Sequence, residues 1–458
     1  MEQPPLNEAA RHAADRAASP ASVDALAAGV VEALGSANVS TVEAARRAAS
    51  TDFAHLSPLL PEVLPAQPAD IVALPRTVDE IVTAVRLAYQ HRVPITPRGQ
   101  GTGNYGQAVP LARGLVIDLT RCDRVLEVGD GWIRAEAGAT FVVLEAAARR
   151  HGQEIAMLPT TVGSTIGGFL AGGAGGVGSI EHGWLWDGFA LALDVVTCPP
   201  DGGPRTVLAA DCLPYLHAYG VTGIIVTATL RLAPARDRVA VLASFPAWAE
   251  AAGCGLELLH LEPPPRLVSV DEPDLVATYP ADEAMPAGRH SLRAIVDTNT
   301  LGLVRDIVSK HSGRVEAVRP KGMAYVTSLG FNHVTLRARK ARANLCHLQV
   351  SGEALVTRAD EVRAALPGAM LHLDGLRTYV DPVDPVRGRQ FGGLLLSPFR
   401  DAATLYAGIG RLQQLGVHVL DPHTWLLGGP GLPTIQATAA ANDPVGLLNP
   451  GKLPPWQE

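Results

Sequence analysis

Hydrophobic and polar positions follow two different periods along the chain, and each change of period marks a predicted element. Residues 6–50 carry apolar side chains at helical spacing, which predicts one or two amphipathic helices that pack outside the core. The apolar run IVALP from Ile71 predicts a strand, and VDEIVTAVRLAYQHR predicts the helix that follows it. Thr77 and Glu80 have the spacing of a capping box at the start of that helix. A second strand is predicted at PITP.

The same mixture of helices and strands continues to Pro234. A helix is predicted at TFVVLEAAARRH, and Gly152 stops it. Alternation predicts the strands GLVIDL and WIRAEAGA, and two further strands are predicted at ALALDVVT and GIIVTATLRLAP. We therefore predict a mixed α and β domain that ends near Pro234.

The pattern changes from Ala235 to His418 and predicts a second domain. The predicted helices and strands alternate there, and they include LGLVRDIVSKHSG, TLYAGIGRLQQLG, SLRAIVD and AMLHLDG. The segment FNHVTLRA is predicted as a strand, in which alternation places Asn332 and His333 on opposite faces.

Composition and charge exclude several classes of function. The chain has 458 residues, 47% of them hydrophobic, and a net charge of −7 without a basic run, so nucleic acid is not an expected partner. The first residues lack the apolar core of a signal peptide, and no stretch reaches the roughly 20 apolar residues of a membrane helix. We expect a cytoplasmic protein without a membrane span.

The cysteines and histidines do not predict a metal site. The five cysteines are odd in number and widely spaced, which favours neither disulfides nor thiolate ligands or iron–sulfur clusters. The segment HLDGLR at residues 372–377 lacks a second histidine close by. No metal is expected.

A first glycine tract lies in PRGQGTGNYGQAVP and contains G-x-G-x-x-G from Gly101 to Gly106. A dinucleotide-binding turn of the Rossmann type must lead into a helix. Pro110 and Gly114 interrupt any helix here, and the next predicted element is a strand, so the Rossmann interpretation fails. An anion cradle of bare N–H groups and a turn without a ligand remain equally open.

A second glycine tract, TTVGSTIGGFLAGGAGGVGS, has eight glycines together with serine and threonine side chains. Such a segment wraps backbone amides around a flat or charged ligand. The alternative is close helix packing through small residues. Two such tracts in one domain favour a large cofactor.

The order of these motifs is similar to that of a known family. PRGQGTGNYGQAVP, GSTIGG with AGGAGG, HAYGVTGIIVTATLRL and DPVGLLNPGK resemble the FAD-binding flavoproteins of the vanillyl-alcohol oxidase and p-cresol methylhydroxylase (PCMH) superfamily, with their FAD-linked oxidase domain. The resemblance covers Ala69 to Pro234 and Asp443 to Lys452. It implies an α+β fold, in which a PCMH-type FAD-binding domain of two α/β subdomains is joined to an α/β substrate (cap) domain.

This resemblance divides the chain into four parts: an N-terminal helical segment (1–68), the FAD-binding domain (69–234), the substrate domain (235–420) and a C-terminal segment that returns to the FAD domain (421–458). It implies that the first tract holds the pyrophosphate, the second runs along pyrophosphate and flavin, and residues 223–225 contact the adenine side. The implied cofactor-binding residues are Arg98, Gly99, Gln100, Gly101, Thr102, Gly103, Asn104, Gly106, Pro159, Thr160, Gly163, Ser164, Thr165, Gly167, Gly168, Gly176, Gly178, Ser179, Gly223, Ile224, Ile225, Asn449 and Lys452.

Noncovalent FAD is expected. Family members with covalent FAD often carry histidine or cysteine in the glycine tracts, whereas Thr102 occupies the histidine position here and Leu158 to Ser179 contain no cysteine. A bond from a histidine or tyrosine of the substrate domain remains open.

Two histidines are candidates for a catalytic base. Within the superfamily the chain resembles bacterial FAD-binding oxidoreductases with N-H-T-T and N-P-H-T segments, which here are Asn-His-Val-Thr at 332–335 and Asp-Pro-His-Thr at 421–424. LLGGPG stands where acidic residues are expected after the second segment. We rank His333, with Asn332 as a neighbour that holds substrate or water, above His423. Tyr105 is a candidate pocket wall, and structural roles for all four residues remain open.

The predicted function is an FAD-dependent oxidase or dehydrogenase that takes a hydride onto flavin N5 from a small organic alcohol, hydroxy acid or amine-like substrate. Secondary metabolism is a setting that fits this prediction. A flavin-binding scaffold that has lost turnover and an NAD(P)H-dependent reductase on the same fold are the alternatives. Oxygen and other electron acceptors fit equally well.

Overall fold

Three β-sheets and the helices packed on them make up the part of the chain that the structure describes. This structure is a computed structural model, and it describes residues 6–65, 67–377 and 388–454. Contacts divide these residues into two units. The first unit contains residues 6–174, 185–234 and 423–454, and the second contains Gly175–Trp184 and Ala235–Pro422.

The smallest sheet has the strand order β1-β2-β4-β3 in the first unit, and β2, β4 and β3 are parallel. Its strands are β1 (Val39–Ser40), β2 (Ile71–Ala73), β3 (Ile95–Arg98) and β4 (Leu115–Asp118). Helix α5 (Val78–Gln90) connects β2 to β3, as the sequence pattern predicts. Thr77 Oγ1 accepts the Glu80 N–H at 3.2 Å, whereas the Glu80 carboxylate accepts the N–H of Arg76 at 2.6 Å.

The second sheet of the first unit is antiparallel, with the order β5-β6-β10-β8-β9 and with β7 paired to β10. Its strands are β5 (Val125–Gly129), β6 (Trp132–Glu136), β7 (Gln153–Ile155), β8 (Ala190–Val196), β9 (Arg205–Leu208) and β10 (Ile224–Pro234). The edge strands β5 and β9 contain no buried residue, so they lack the apolar pattern that predicts strands.

The largest sheet lies in the second unit and is antiparallel, with the order β14-β11-β13-β12-β16-β17-β15-β18. Its strands are β11 (Arg238–Phe245), β12 (Leu267–Asp271), β13 (His290–Asp297), β14 (Arg314–Arg319), β15 (Leu345–Ser351), β16 (Met370–Arg377), β17 (Arg389–Pro398) and β18 (His418–Leu420). Its central strands are almost wholly buried, because helices and loops of the same unit cover the sheet.

Sixteen further α-helices lie in the described ranges. They are α1 (Leu6–Ala14), α2 (Pro20–Leu34), α3 (Glu43–Ala49), α4 (Leu60–Val63), α6 (Phe141–Arg149), α7 (Ile166–Gly172), α8 (Ser179–His182), α9 (Trp248–Leu259), α10 (Pro273–Val276), α11 (Leu301–Lys310), α12 (Met323–Thr327), α13 (His333–Ala341), α14 (Ala354–Thr357), α15 (Ala359–Ala364), α16 (Ala402–Gln414) and α17 (Leu432–Asn442). None of the helices in the described ranges is long and apolar enough to cross a bilayer.

Two expectations about local structure are wrong. FNHVTLRA is not a strand, because His333 begins helix α13, and Val334, Thr335 and Ala338 bury one face of that helix. The N-terminal helices are not wholly outside the core either. Leu6 and Ala13 of α1 belong to a buried apolar cluster that also contains Trp425.

Candidate functional site

The first glycine tract forms a loop that leaves β3 and approaches other groups very closely. A Cβ atom on Gly99 would lie 2.0 Å from Thr165 Oγ1, and one on Gly103 would lie 2.1 Å from Gln107 Oε1. Gly101 has φ of +65° and faces the Arg98 guanidinium, which a Cβ would meet at 2.1 Å. The loop therefore requires glycine for space as well as for its backbone conformation.

This loop presents bare amide groups. The N–H groups of Gln100 to Asn104 donate no hydrogen bond to any residue that the structure describes, whereas the Gly103 carbonyl accepts the Phe53 N–H at 2.7 Å. Strand β4 follows the loop without an intervening helix. Successive free N–H groups are a property of anion-binding loops, and they fit a diphosphate.

The second glycine tract touches the first and also packs tightly by itself. Thr102 Oγ1 lies 2.7 Å from Ser164 Oγ, and Thr165 caps α7 by accepting the Gly168 N–H at 3.3 Å. A Cβ on Gly167 would lie 2.7 Å from the Cβ of Ala137. The tract therefore contacts the first loop, and at Gly167 it also shows the close packing through small residues that the sequence left open.

Two side chains of the C-terminal tail form hydrogen bonds with backbone carbonyls of the first loop. The buried Asn449 donates from Nδ2 to the carbonyls of Gln107 at 2.9 Å and Tyr219 at 2.7 Å. The buried Lys452 donates from Nζ to the carbonyls of Gly106 at 2.6 Å and Val109 at 2.9 Å. Both side chains position the loop through its carbonyl groups.

The remaining implied cofactor residues divide between the two units. Gly223, Ile224 and Ile225 lie at the start of β10 in the first unit, and Pro159, Thr160 and Gly163 lie in the loop before α7. The end of the second tract belongs to the second unit, where two of its amides are already bonded. Gly176 N–H donates to Ser179 Oγ, and Gly178 N–H donates to the Arg266 carbonyl, both at 2.9 Å.

His333 is the first residue of α13, directly after Asn332. It is half-buried, and its Nδ1 is shielded from solvent without a hydrogen-bond partner among the described residues. Burial lowers the pKa of His333, and the nearby cations Arg337 and Lys340 lower it further. The imidazole is therefore neutral at neutral pH and able to accept a proton.

His423 lies in the first unit in a buried segment without helix or strand. Its Nδ1 lies 2.8 Å from Ser57 Oγ, and the residue is 1% exposed. Trp425 is fully buried and donates from Nε1 to the Gly451 carbonyl at 3.1 Å. Tyr105 packs against the apolar cluster that contains Trp425.

The largest sheet contains a buried charge network that the sequence pattern does not predict. His372 Nδ1 lies 2.5 Å from Asp271, and its Nε2 lies 2.7 Å from Asp374. Asp271 also binds the Arg293 guanidinium at 2.6 Å, and none of these side chains is more than 3% exposed. The two carboxylates hold the pKa of His372 at about 9 against the opposing effect of burial.

The signal for this network was present as HLD in an apolar strand. Residues two apart on a strand share a face, so His372 and Asp374 point to the same side of β16. The sequence could not show that Asp271 and Arg293 lie beside them on β12 and β13. No group of three or more metal-ligating side chains suited to a metal ion occurs within the described ranges.

Comparison with known proteins agrees with the geometry of the first unit. Residues 69–207 match a family model described as an FAD binding domain. A D-lactate dehydrogenase of Archaeoglobus fulgidus is 30% identical over 41% of this chain and 44% of its own length. A glycolate oxidase subunit GlcD of Bacillus subtilis is 30% identical over 36% of this chain and 37% of its own. The matched region thus spans less than half of either relative.

The fold extends beyond the matched region. A solved structure of an alkyldihydroxyacetonephosphate synthase superposes with a TM-score of 0.73, covering 94% of this chain and 86% of the other. The two sequences are 18% identical, so this likeness concerns the fold alone.

Proposed function

Because this chain belongs to the PCMH-type FAD-linked oxidase family through its FAD-binding domain, we propose that it is an enzyme that oxidises a small 2-hydroxy acid. The match of residues 69–207 to the FAD binding domain carries this proposal. The names of two relatives, a D-lactate dehydrogenase and a glycolate oxidase subunit, indicate the substrate class, since lactate and glycolate are both 2-hydroxy acids.

The diphosphate of FAD is assigned to the loop from Arg98 to Gly106. The free amides of Gln100 to Asn104 supply donors suited to phosphate oxygens. The cofactor is held without a covalent bond, because neither tract offers a histidine or cysteine. When bound there, FAD would supply a hydride acceptor at its N5 position.

His333 is proposed as the base that removes the hydroxyl proton of the substrate. A neutral imidazole can accept that proton as the hydride leaves the adjacent carbon, so no charge accumulates on the substrate oxygen. Asn332, next to it in the chain, offers an amide that can hold the substrate or a water molecule. The pKa of His333, lowered by burial and by Arg337 and Lys340, suits this role.

Anaerobic reduction of the flavin tests this function. The purified protein is mixed without oxygen with D-lactate, L-lactate or glycolate, and ethanol serves as the control without a carboxylate. Bleaching of the flavin by a hydroxy acid and not by ethanol is expected. Bleaching by NADPH alone would favour a reductase, and bleaching by none of these compounds would contradict turnover of 2-hydroxy acids.

A further inference from the structure

Residues Thr51 to Phe53 of the N-terminal segment form hydrogen bonds with the first glycine loop. The Phe53 N–H donates to the Gly103 carbonyl at 2.7 Å, and Arg98 donates from Nη1 to the Thr51 carbonyl at 2.6 Å. Asp52 lies between these two contacts in the chain, and its Oδ1 accepts the Ala54 N–H at 2.9 Å. Residues before the matched FAD domain are thereby part of the loop's support.

The second oxygen of Asp52 points toward the loop. Oδ2 is shielded from solvent and accepts no hydrogen bond from a described residue. A Cβ atom on Gly103 would lie 3.6 Å from it, which places the carboxyl group beside the backbone of the loop. Burial raises the pKa of Asp52, and the Ala54 N–H together with Lys452 and Arg98 opposes this shift only in part.

Lys452 supports the same loop from the other side. Its ammonium group is fully buried and donates to the carbonyls of Gly106 and Val109, with the Trp425 ring 5.9 Å away. No carboxylate of the described residues lies within 4.0 Å of it. Burial without an anionic partner lowers the pKa of Lys452 to about 7, and the more distant Asp52 partly opposes this shift.

We propose that FAD binding at this loop takes up a proton through Asp52 and Lys452, so that the protein retains its cofactor more tightly at lower pH. This inference rests on the proposed placement of the diphosphate at Arg98 to Gly106. A diphosphate is an anion, so it favours a protonated Asp52 and a protonated Lys452. In the proposed binding equilibrium, the apoprotein, FAD and one proton combine to form the protonated complex.

Other charged groups near this pair limit where the titration occurs. Arg98 is the remaining cation that acts on Asp52, and Tyr219 and Tyr105 face the same region. Burial raises the pKa of Tyr219 well above its ordinary value, so this phenol does not titrate in the same range. Above about pH 7 the apoprotein loses the Lys452 proton, and the complex must recover it.

The test measures FAD affinity of the apoprotein as a function of pH. FAD is titrated into the full-length apoprotein between pH 6 and 8.5, and binding is followed by flavin fluorescence. The dissociation constant is expected to rise above pH 7, by up to about tenfold per pH unit for one proton. Calorimetric titration in two buffers of different ionisation enthalpy should give binding heats that differ in proportion to the proton taken up.

Three variants show whether Asp52 or Lys452 takes up the proton. Asp52→Asn removes a charge that repels the diphosphate, so FAD should bind more tightly than to wild type, most clearly at pH 8.5. Lys452→Arg keeps a positive charge at every pH and should flatten the dependence. Lys452→Met should weaken binding throughout, and melting of the apoprotein shows whether this variant folds. If it does not, Asp52→Asn and Lys452→Arg still decide the question.

Two results separate this inference from the placement on which it rests. A wild-type affinity that is independent of pH, with equal heats in both buffers, overturns the proton uptake alone. Undiminished FAD binding by a folded Gly103→Val variant instead overturns the placement of the diphosphate at the loop.

Discussion

His333 and His372 are both withdrawn from solvent, yet their surroundings move their pKa values in opposite directions. Arg337 and Lys340 add to burial at His333 and lower its pKa, whereas two carboxylates raise the pKa of His372 to about 9. At neutral pH the first imidazole is neutral and the second is charged. Only the neutral ring can accept a proton from a substrate, which is why His333 is preferred as the base.

Replacing His333 by alanine should slow anaerobic flavin reduction by about 10²- to 10⁴-fold, the usual effect of losing a general base. The FAD content should stay near normal, because the first glycine loop, to which the diphosphate is assigned, lies in the other unit of the chain. Stopped-flow absorbance of the flavin, together with the ratio of flavin to protein absorbance, measures both quantities.

His423→Ala is the matched control for this prediction. His423 is buried with Ser57 at 2.8 Å, so its loss should lower thermal stability and leave flavin reduction by the remaining folded protein almost unchanged. A large loss of reduction rate in this variant, with none at His333, would reverse the assignment of the base.

Gly103→Val should abolish FAD binding. The added side chain meets the Gln107 amide at 2.1 Å and occupies the space beside the free amides of the loop. Gln107 would also lose its hydrogen bond from Nε2 to the Gly172 carbonyl at 2.9 Å. Flavin absorbance of the purified variant measures the effect, and Gly302→Val, at a glycine with no neighbour within 4 Å, is the control.

Among the elements, strands β12, β13 and β16 share a polar layer inside an otherwise apolar sheet. Ser269 Oγ donates to Asp374 at 2.7 Å, and the Phe331 N–H donates to the same carboxylate at 2.8 Å. Arg293 donates to the Leu329 carbonyl at 3.0 Å. The network therefore joins the sheet to the segment that leads into α13.

Asp374→Asn should destabilise the protein strongly, because it leaves the buried His372 cation with one carboxylate instead of two. The loss of one partner of a buried ion pair typically costs about 3–5 kcal/mol. This loss of stability is measured by the shift of the urea unfolding midpoint of the second unit. Glu361→Gln, which breaks the exposed ion pair with Arg358, should leave the midpoint almost unchanged.

The same network predicts how stability changes with pH. The pKa of His372 rises from 6.5 to about 9 on folding, so its contribution is complete below about pH 6.5 and is lost as the pH rises through about 9. The free energy of unfolding of the second unit should fall over this range. His372→Gln should remove that slope, and an unchanged slope in this variant would show that another group titrates.

For the molecule as a whole, the prediction that FAD is held without a covalent bond can be tested directly. The purified protein should be yellow, and acid precipitation should release its FAD into the supernatant, because the two glycine tracts contain no histidine or cysteine. Flavin absorbance of the supernatant and the pellet measures this. Flavin that stays with the pellet would show a covalent bond from some other residue.

Much of the first unit could be predicted because its signals are local. Glycine tracts, apolar strands and the capping residue Thr77 act on neighbours in sequence, so strand β2, helix α5 and strand β3 follow from the pattern alone. The order of the motifs predicted the FAD-binding domain that the family comparison supports. Helix α13 was missed because FNHVT is rich in strand-forming residues, and its buried face appears only at a spacing of three to four residues.

The tertiary structure alone decided the partners and charges of the candidate site residues. Lys452 supports a carbonyl 346 positions away, and His372 meets Asp271 across 101 positions. Residue spacing in the sequence does not predict contacts across such long separations, because these contacts depend on which strands and terminal segments become neighbours in space. A pKa depends on burial and on charges within a few ångströms. The sequence by itself therefore determined the cofactor class, and folding determined which groups hold a proton.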